Sequence, residues 1–571
     1  MAVYDRDHFP LHLRVLCDRG ARLQPDNLIV TRTSKGHSTV TFAEHHVQTQ
    51  RLASALSKWG VNIGERVATF MWNSAAHMQC FHGISCMGAV LHTLNLRLGP
   101  KDLSYIIEHA QDRVIIADAD LLPLLAKVDP AVLGKVGLFV CCGIDWEPGK
   151  YTLPPEIPAI SSTSWEAFVA TGDPIFAWPD IPETSAHGLC YTSGTTGNPK
   201  GVAYSHRSTY LHTLTSVGAD ALGLSGAHCV LPFVPMFHVL SWGVPFSVLT
   251  LGARTILTGR FMDPDSLLSS IVEWRVHIST GVPTVWQGMR GAIMKQGVRK
   301  VKKALALKML TCGGSAPPPE MMRWYLDQLG VEFLQGWGMT ETNPLGSMGR
   351  RVAKYTDTTK GADELFGNCV KAGIPLPGVE VRIADPDDLD KDVPAGSPGE
   401  LLVRGPWVTT EYFNIDAADK FHKGWLITGD MALVDREGAI VITDRSKDVI
   451  KSGGEWISSI DLENSIASID GVAMAAVVAV PHPQWDERPV AVVMLSSEAG
   501  PGSAADIAKK VEDHCSKSFA KFQLPDDVLV WEEIPLTSTG KLNKKQIREL
   551  LTKQGYKLPD AKKDGKTRSK L

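Results

Sequence analysis

The chain has 571 residues, a formal net charge of −4, 44% hydrophobic residues and 21% charged ones. Its length calls for three or four compact units on the usual domain size and leaves room for a large core. The mixture is that of a globular protein, and the near-neutral balance gives no case for nucleic acid as the main partner.

The N-terminal stretch Met1 to Arg14 mixes Asp5, Arg6, Asp7 and His8 and lacks an apolar core, so it does not read as a secretory signal. From Tyr4 to about Pro182 strand and helix alternate. Leu52 to Trp59 reads as helix, Arg66 to Phe70 as a strand leaving the turn Asn62 to Glu65, and Ala75 to Val90 as helix again. The most apolar region, Val67 to Leu94, is broken by Asn73, His77, Gln79 and His82, which predicts buried helix and no membrane span. Asp102 to Ala110 reads as helix, Val114 to Ala117 as strand, and the Pro-rich run Tyr151 to Pro182 as a surface connection.

Further strands follow at Gly188 to Cys190, Cys229 to Leu231 and Thr255 to Leu257, with helices at Ser208 to Thr215, Trp242 to Leu249 and Pro264 to Trp274. This alternation predicts an α/β fold of mostly parallel sheets with helices. Strands and turns dominate from Gly373 to Val434 and just beyond, giving a β-rich subdomain over 373–444 of a large N-terminal domain, 1–444. The acid-rich run Asp385 to Asp392 lacks the glycine and terminal glutamate of a calcium loop and reads as a solvated turn. A small C-terminal α+β domain, 445–557, carries helices at Leu462 to Ile469, Ala504 to Ser516 and Lys544 to Leu551, and strands at Ala475 to Val480, Val490 to Leu495 and Val528 to Trp531. Residues 558–571 form a basic tail ending in Ser569-Lys570-Leu571, the tripeptide read by the peroxisomal import receptor. It predicts the peroxisome matrix and a eukaryotic host. The ten cysteines are scattered, with no C-x-x-C pair, and read as reduced core thiols rather than disulfides or zinc ligands.

One stretch organises the chemistry: Thr192-Ser193-Gly194-Thr195-Thr196-Gly197, followed after Asn198 and Pro199 by Lys200. Small hydroxyl side chains, glycines that let amides approach an anion, and a lysine are phosphate-binding chemistry, placed between a strand and a helix-compatible segment. The P-loop of kinases needs four residues between its glycines and a Ser or Thr after the lysine; here Thr195 and Thr196 alone separate Gly194 from Gly197, and Gly201 follows Lys200. The stretch resembles the signature loop of the AMP-forming, carboxylate-activating (ANL) superfamily, which includes acyl-CoA ligases, luciferases and the adenylation domains of peptide synthetases.

That resemblance implies ATP-dependent formation of an acyl adenylate and transfer of the acyl group to coenzyme A, with ATP, Mg²⁺ and coenzyme A as cofactors or co-substrates. In Gly336-Trp337-Gly338-Met339-Thr340-Glu341 it implies that Thr340 touches the α-phosphate, Glu341 holds the Mg²⁺, and Trp337 packs on adenine, the alternative for Trp337 being a place in the core. Gly314, Ser315 and Ala316 match the backbone lining the adenine pocket. Asp430 and Arg445 match the ribose contacts, Lys447 the hinge, Gly453 and Gly454 the segment that swings toward the thiol tunnel, and Lys541 the catalytic lysine. The small domain is therefore expected to be mobile, rotating at Lys447 once adenylate has formed.

Val234 to Gly243 resembles the acyl-pocket motif of medium- and long-chain acyl-CoA ligases. His238 stands where amino-acid-activating relatives carry an aspartate, and Leu240, Trp242 and Val244 supply no negative charge, so an ammonium would be buried without a partner. His238 reads either as a gate to the acyl site or as a core histidine. With no carrier domain after the small domain, a diffusible acceptor is expected. With Ser569-Lys570-Leu571 the chain looks most like a fungal peroxisomal acyl-CoA ligase, a group that includes enzymes of siderophore and host-selective toxin pathways. Family members often form homodimers, but no segment marks an interface. Two alternatives share the motifs: a luciferase-like enzyme with a different second step, and a non-catalytic protein that binds acyl or adenylate ligands.

Overall fold

The computed structural model describes residues 9–143, 145, 151–158, 160–192, 198–350, 362–453, 455–496, 504–537 and 541–557. It is a mixed α/β protein with four sheets. In the first, strands lie in the order Ser162–Ser164, Leu138–Cys142, Val114–Asp118, Arg66–Phe70, Val90–Thr93, Ala186–Tyr191 and Gly201–Ser205. Neighbours are parallel except for the last pair. Val114–Asp118 and Leu138–Cys142 are buried along their whole length, as parallel strands covered on both faces must be.

The second sheet has a parallel centre running from Glu332–Gly338 through Met309–Cys312, Ile278–Gly281, Cys229–Pro232 and Arg254–Leu257 to Leu28–Thr33. Its edges are antiparallel, with Gly36–Thr41 at one side and Leu345–Met348 followed by Ile374–Pro375 at the other. An early hairpin thus completes a sheet whose remaining strands come much later in the chain. One contiguous apolar core, from Leu13 to Ala417, joins both parallel sheets.

Local chemistry accounts for where the elements begin and end, including several places where the expected bounds shift. The helix Phe42–Trp59 starts well before Leu52, because Thr41 and Glu44 form a reciprocal capping box, and it stops at Gly60, whose φ of 99° is a left-handed cap. The helix Ala75–Cys86 ends short of Val90: Gly88 turns at φ 92°, and Val90–Thr93 pairs with Arg66–Phe70 as a strand. The run Tyr151 to Pro182 is more than a connection. It contributes the edge strand Ser162–Ser164 and the helix Trp165–Ala170, capped by Ser164, with Trp165, Phe168 and Val169 buried. In the acid-rich run, Asp388–Asp392 pairs with Glu380–Asp385, and Asp390 takes both His422 and Lys423.

The third sheet is antiparallel: Asp388–Asp392, Glu380–Asp385, Gly399–Arg404, Trp425–Val434 and Phe421–His422, with Ile440–Arg445 also against Trp425–Val434. The fourth is built from Glu455–Ile457, Ile450–Ser452, Asp486–Leu495, Val472–His482 and Asp527–Val530. Apolar clusters cover both its faces: Leu462, Ile466 and Val511 help to form one, and Ile534, Ile547 and Leu551 the other. All ten cysteines are free and buried. Among the described residues no helix is long and apolar enough to cross a membrane.

Candidate active site

The hairpin Trp425–Val434/Ile440–Arg445 sets Asp430 directly opposite Arg445 in register, and the cross-strand pair closes with Arg445 Nε 2.8 Å from Asp430 Oδ1. The other oxygen of Asp430 accepts the indole N–H of Trp337 at 2.8 Å. Asp430 is buried, and a buried carboxylate needs this double pairing. Trp337 sits on the strand Glu332–Gly338 and packs into the apolar core of the third sheet. Of the two expected places for Trp337, on adenine or in the core, this is the core; its donation to Asp430 has no sequence signal.

After that strand, Thr340–Thr342 forms a single 3₁₀ turn. The Thr340 carbonyl accepts from the Tyr204 hydroxyl at 2.7 Å, which ties the turn to the first sheet. Glu341 is buried, its carbonyl accepts the Thr409 N–H, and Tyr412 donates its hydroxyl to Glu341 Oε1 at 2.7 Å. The ring of Tyr412 in turn faces Lys200 Nζ at 4.9 Å. Tyr412 therefore joins two of the expected site residues, and it lies in none of the sequence motifs.

Residues 193–197, which hold Ser193 to Gly197, lie outside the described residues, as do Gly454 and 538–540. The base of the loop is closed by Thr192 and Lys200, which exchange backbone and side-chain hydrogen bonds of 2.9 and 3.1 Å. The segment after it differs from expectation. Gly201–Ser205 is a strand antiparallel to Ala186–Tyr191, and the helix His206–Ser216 starts only after it, so Lys200 leads into a strand and not into a helix N-terminus.

Lys541 arrives from the C-terminal part of the chain. Its loop is pinned at the base, where Thr537 N–H donates to the Lys541 carbonyl at 2.7 Å and Lys541 N–H to Thr537 Oγ1 at 3.1 Å. The side chain lies over Gly314, where an added Cβ would meet Lys541 Cε at 3.3 Å. Gly314 holds a φ of 86°, which favours glycine on its own account. On the neighbouring Gly313 an added Cβ would meet the Trp242 ring at 2.9 Å. The missing side chains thus admit a lysine and a tryptophan. Burial, and then the charge of Arg445, push the Lys541 amine down to about 8, against the pull of Asp430 and Glu341.

A cavity of about 1140 Å³ brings these groups together: Thr192, Lys200, His238, Gly314, Ser315, Ala316, Gly336, Trp337, Gly338, Thr340, Glu341, Asp430, Arg445, Lys447 and Lys541 all line it. Leu222, Val239, Trp242, Leu345 and Met348 give the wall an apolar stretch. His238 is half-buried at this wall; burial, with Lys541 and Arg97, lowers it to about 3, so it is neutral at physiological pH. Val239 to Gly243 form one left-handed turn, with φ from 38° to 71°, before the right-handed helix Val244–Leu251 begins. Four non-glycine residues in that region store strain. Ser241 Oγ to Val234 O, 2.9 Å, helps to hold it. Gly453, at φ 60°, lies against Trp485 in the turn of the fourth sheet and is not among the residues lining the cavity.

The family model described as AMP-binding enzyme matches residues 17–413, and its C-terminal domain matches residues 461–541. The chain belongs to the AMP-binding enzyme family. It is 40% identical to the 3-methylmercaptopropionyl-CoA ligase of Ruegeria pomeroyi, covering 95% of this chain and 97% of that one. It is 38% identical to the medium-chain-fatty-acid–CoA ligase of Ectopseudomonas oleovorans, over 94% and 95%. Its fold is similar to a crystal structure of the anthranilate CoA ligase AuaEII, with a TM-score of 0.81, 23% identity and coverage of 95% and 98%. This member of the AMP-binding enzymes is an AMP-forming ligase of a carboxylic acid and coenzyme A, and it uses ATP and Mg²⁺. The cavity fits the ion: Glu341 presents a carboxylate whose Oε2 has no hydrogen-bond partner among the described residues, a hard oxygen suited to Mg²⁺.

Proposed function

We propose that this ligase activates a hydrophobic carboxylic acid, and that the residues lining the cavity divide the work. Asp430 accepts the ribose hydroxyls, held in place by Trp337 and Arg445. Lys200 and the loop from Thr192 bind phosphate, Thr340 meets the α-phosphate, and Glu341 holds the Mg²⁺, which when bound neutralises charge on the phosphate oxygens. Lys541 stabilises the negative charge that builds between carboxylate and α-phosphate as the acid attacks and pyrophosphate leaves. A neutral His238 lines the entrance to the acyl site without offering a countercharge.

The observation that carries this reading is that Lys541 reaches across to Gly314 in the same cavity as Asp430 and Glu341. That is the arrangement adenylation needs. For transfer to coenzyme A, Lys541 withdraws as the small domain, 445–557, turns at Lys447 and brings Gly453 and Gly454 inward. The domain division at 444/445 is part of the proposal, supported by the separate apolar cores of the third and fourth sheets.

The apolar wall of Leu222, Val239, Trp242, Leu345 and Met348 supports an acid with an uncharged tail, as do relatives named for methylmercaptopropionate and medium-chain fatty acids. Coenzyme-A-dependent AMP release, measured across acids graded by length and polarity, tests this. Turnover rises with apolar length up to the size of the pocket, and α-amino acids are inert; preferred turnover of an amino acid overturns it. The proposal extends to localisation. Ser569-Lys570-Leu571 supports delivery to the peroxisome of a fungal cell, with a role in secondary metabolism, and a fluorescent fusion that stays cytosolic with that tripeptide free overturns it.

A further inference from the structure

Away from the nucleotide cavity, three N-terminal helices bring six potential metal ligands to one place. Cys17 and Asp18 lie on Leu13–Leu23, His45 and His46 on Phe42–Trp59, and His82 and Cys86 on Ala75–Cys86. His82 and Cys86 are one helical turn apart on a shared face. Ligand atoms of Cys17, His82 and Cys86 lie within 4.8 Å of one another, and so do those of Asp18, His46 and His82.

His82 is common to both groups, and its surroundings decide its tautomer. Nε2 lies 3.0 Å from Asp18 Oδ1. An ionised carboxylate only accepts, so Nε2 carries the hydrogen. The lone pair then sits on Nδ1, which is buried with no hydrogen-bond partner. A buried acceptor with nothing to accept is costly. The Cys17 and Cys86 thiols are buried as well.

We propose that Cys17, Cys86 and His82 bind a zinc ion, with Asp18 orienting the imidazole from behind. Two sulfurs and an imidazole suit zinc over magnesium or calcium, and a carboxylate on the far nitrogen of a ligating histidine is the usual support for such a site. The side chains of Asp18 and His46, 20% and 28% exposed, connect the cluster to the surface and give the ion a way in. Binding releases the thiol protons to solvent and leaves two thiolates on the metal. The ion fastens Leu13–Leu23 to Ala75–Cys86. Through Gly20, whose added Cβ would collide with the Leu249 carbonyl, that first helix packs on Val244–Leu251, the helix that follows the strained turn of the acyl wall. The site is a brace for that wall.

The test is metal content of the full chain purified without chelator, with cobalt(II) substitution read by absorption. Zinc bound one to one and a sulfur-to-cobalt charge-transfer band are expected, both lost in the Cys17→Ser/Cys86→Ser double variant and kept in Cys141→Ser. In the unaltered protein, stripping zinc with a strong chelator lowers the melting temperature and adding zinc restores it, a readout that stands if the double variant does not fold. Absence of zinc from the unaltered protein, cobalt without sulfur absorption, or a Cys17–Cys86 disulfide in the isolated chain overturns the proposal.

Discussion

Lys541 lies against Gly314, close enough that a Cβ on the glycine would stand 3.3 Å from Lys541 Cε and 4.0 Å from Nζ. Gly314 stands near the middle of the chain and Lys541 near its C-terminal end, and they adjoin different apolar cores. Their contact carries a cation from the C-terminal part into a cavity that already holds Asp430, Arg445 and Glu341.

Gly314→Ala tests that contact. Alanine at a φ of 86° costs about 1–2 kcal/mol in the backbone, and its methyl group presses on Lys541. Acid-dependent exchange of pyrophosphate into ATP falls roughly 10-fold or more, beyond what the small drop in melting temperature accounts for. Equal exchange in variant and parent removes the contact from the account.

The lowered pKa of Lys541 sets a pH dependence. With the amine at about 8, its charge is present below that pH and lost above it, so the adenylation rate falls as pH rises through about 8. Linkage has the opposite sign for folding: the native state holds this proton less tightly than the unfolded chain, so the contribution to stability grows between about 8 and the ordinary 10.5. Lys541→Arg, charged throughout, flattens the alkaline limb of the exchange profile.

Tyr412→Phe removes the donor to Glu341 Oε1 while keeping the ring that faces Lys200. Hydrogen bonds to charged groups are worth about 1.5–3 kcal/mol, so kcat/KM for ATP falls roughly 10- to 100-fold. Half-maximal activity moves to higher Mg²⁺. A variant with an unchanged Mg²⁺ titration shows that Tyr412 does not position Glu341.

Lys544→Met disrupts a buried cluster at the base of the helix Lys544–Lys553. Lys544 Nζ sits 2.8 Å from Glu463 and 2.5 Å from Ser459 Oγ, and Asp444 accepts from both the N–H and the hydroxyl of Ser459 at 2.6 Å. Burial works against the charge on Lys544, and Glu463 and Asp444 together raise its pKa in spite of it. Removing one partner of a buried pair costs about 3–5 kcal/mol, read as a lowered denaturant midpoint. Adding Glu463→Gln recovers part of that loss.

Much of this was legible in the sequence because it is local. Val114 to Ala117 and Val490 to Leu495 announce themselves as strands by composition, and Asp430, Arg445 and Lys541 by their motifs. What was not legible is what depends on distant partners. The strand Leu28–Thr33 takes its place from Arg254–Leu257, and the hold of Trp337 on Asp430 arises only when the second and third sheets meet. Thr41 and Glu44 are a local capping signal for the start of the helix Phe42–Trp59, legible without any distant partner. The left-handed turn Val239 to Trp242 had no such signal, since no residue in it favours positive φ.

The most direct measurement is to separate the two half-reactions in Lys541→Ala. Exchange of labelled pyrophosphate into ATP drops by about 100-fold or more, while acyl adenylate supplied ready-made is converted to acyl-CoA at close to the parent rate. If both steps fall together, or if exchange persists, Lys541 is not the group that serves adenylation alone, and the closed cavity seen here has another meaning.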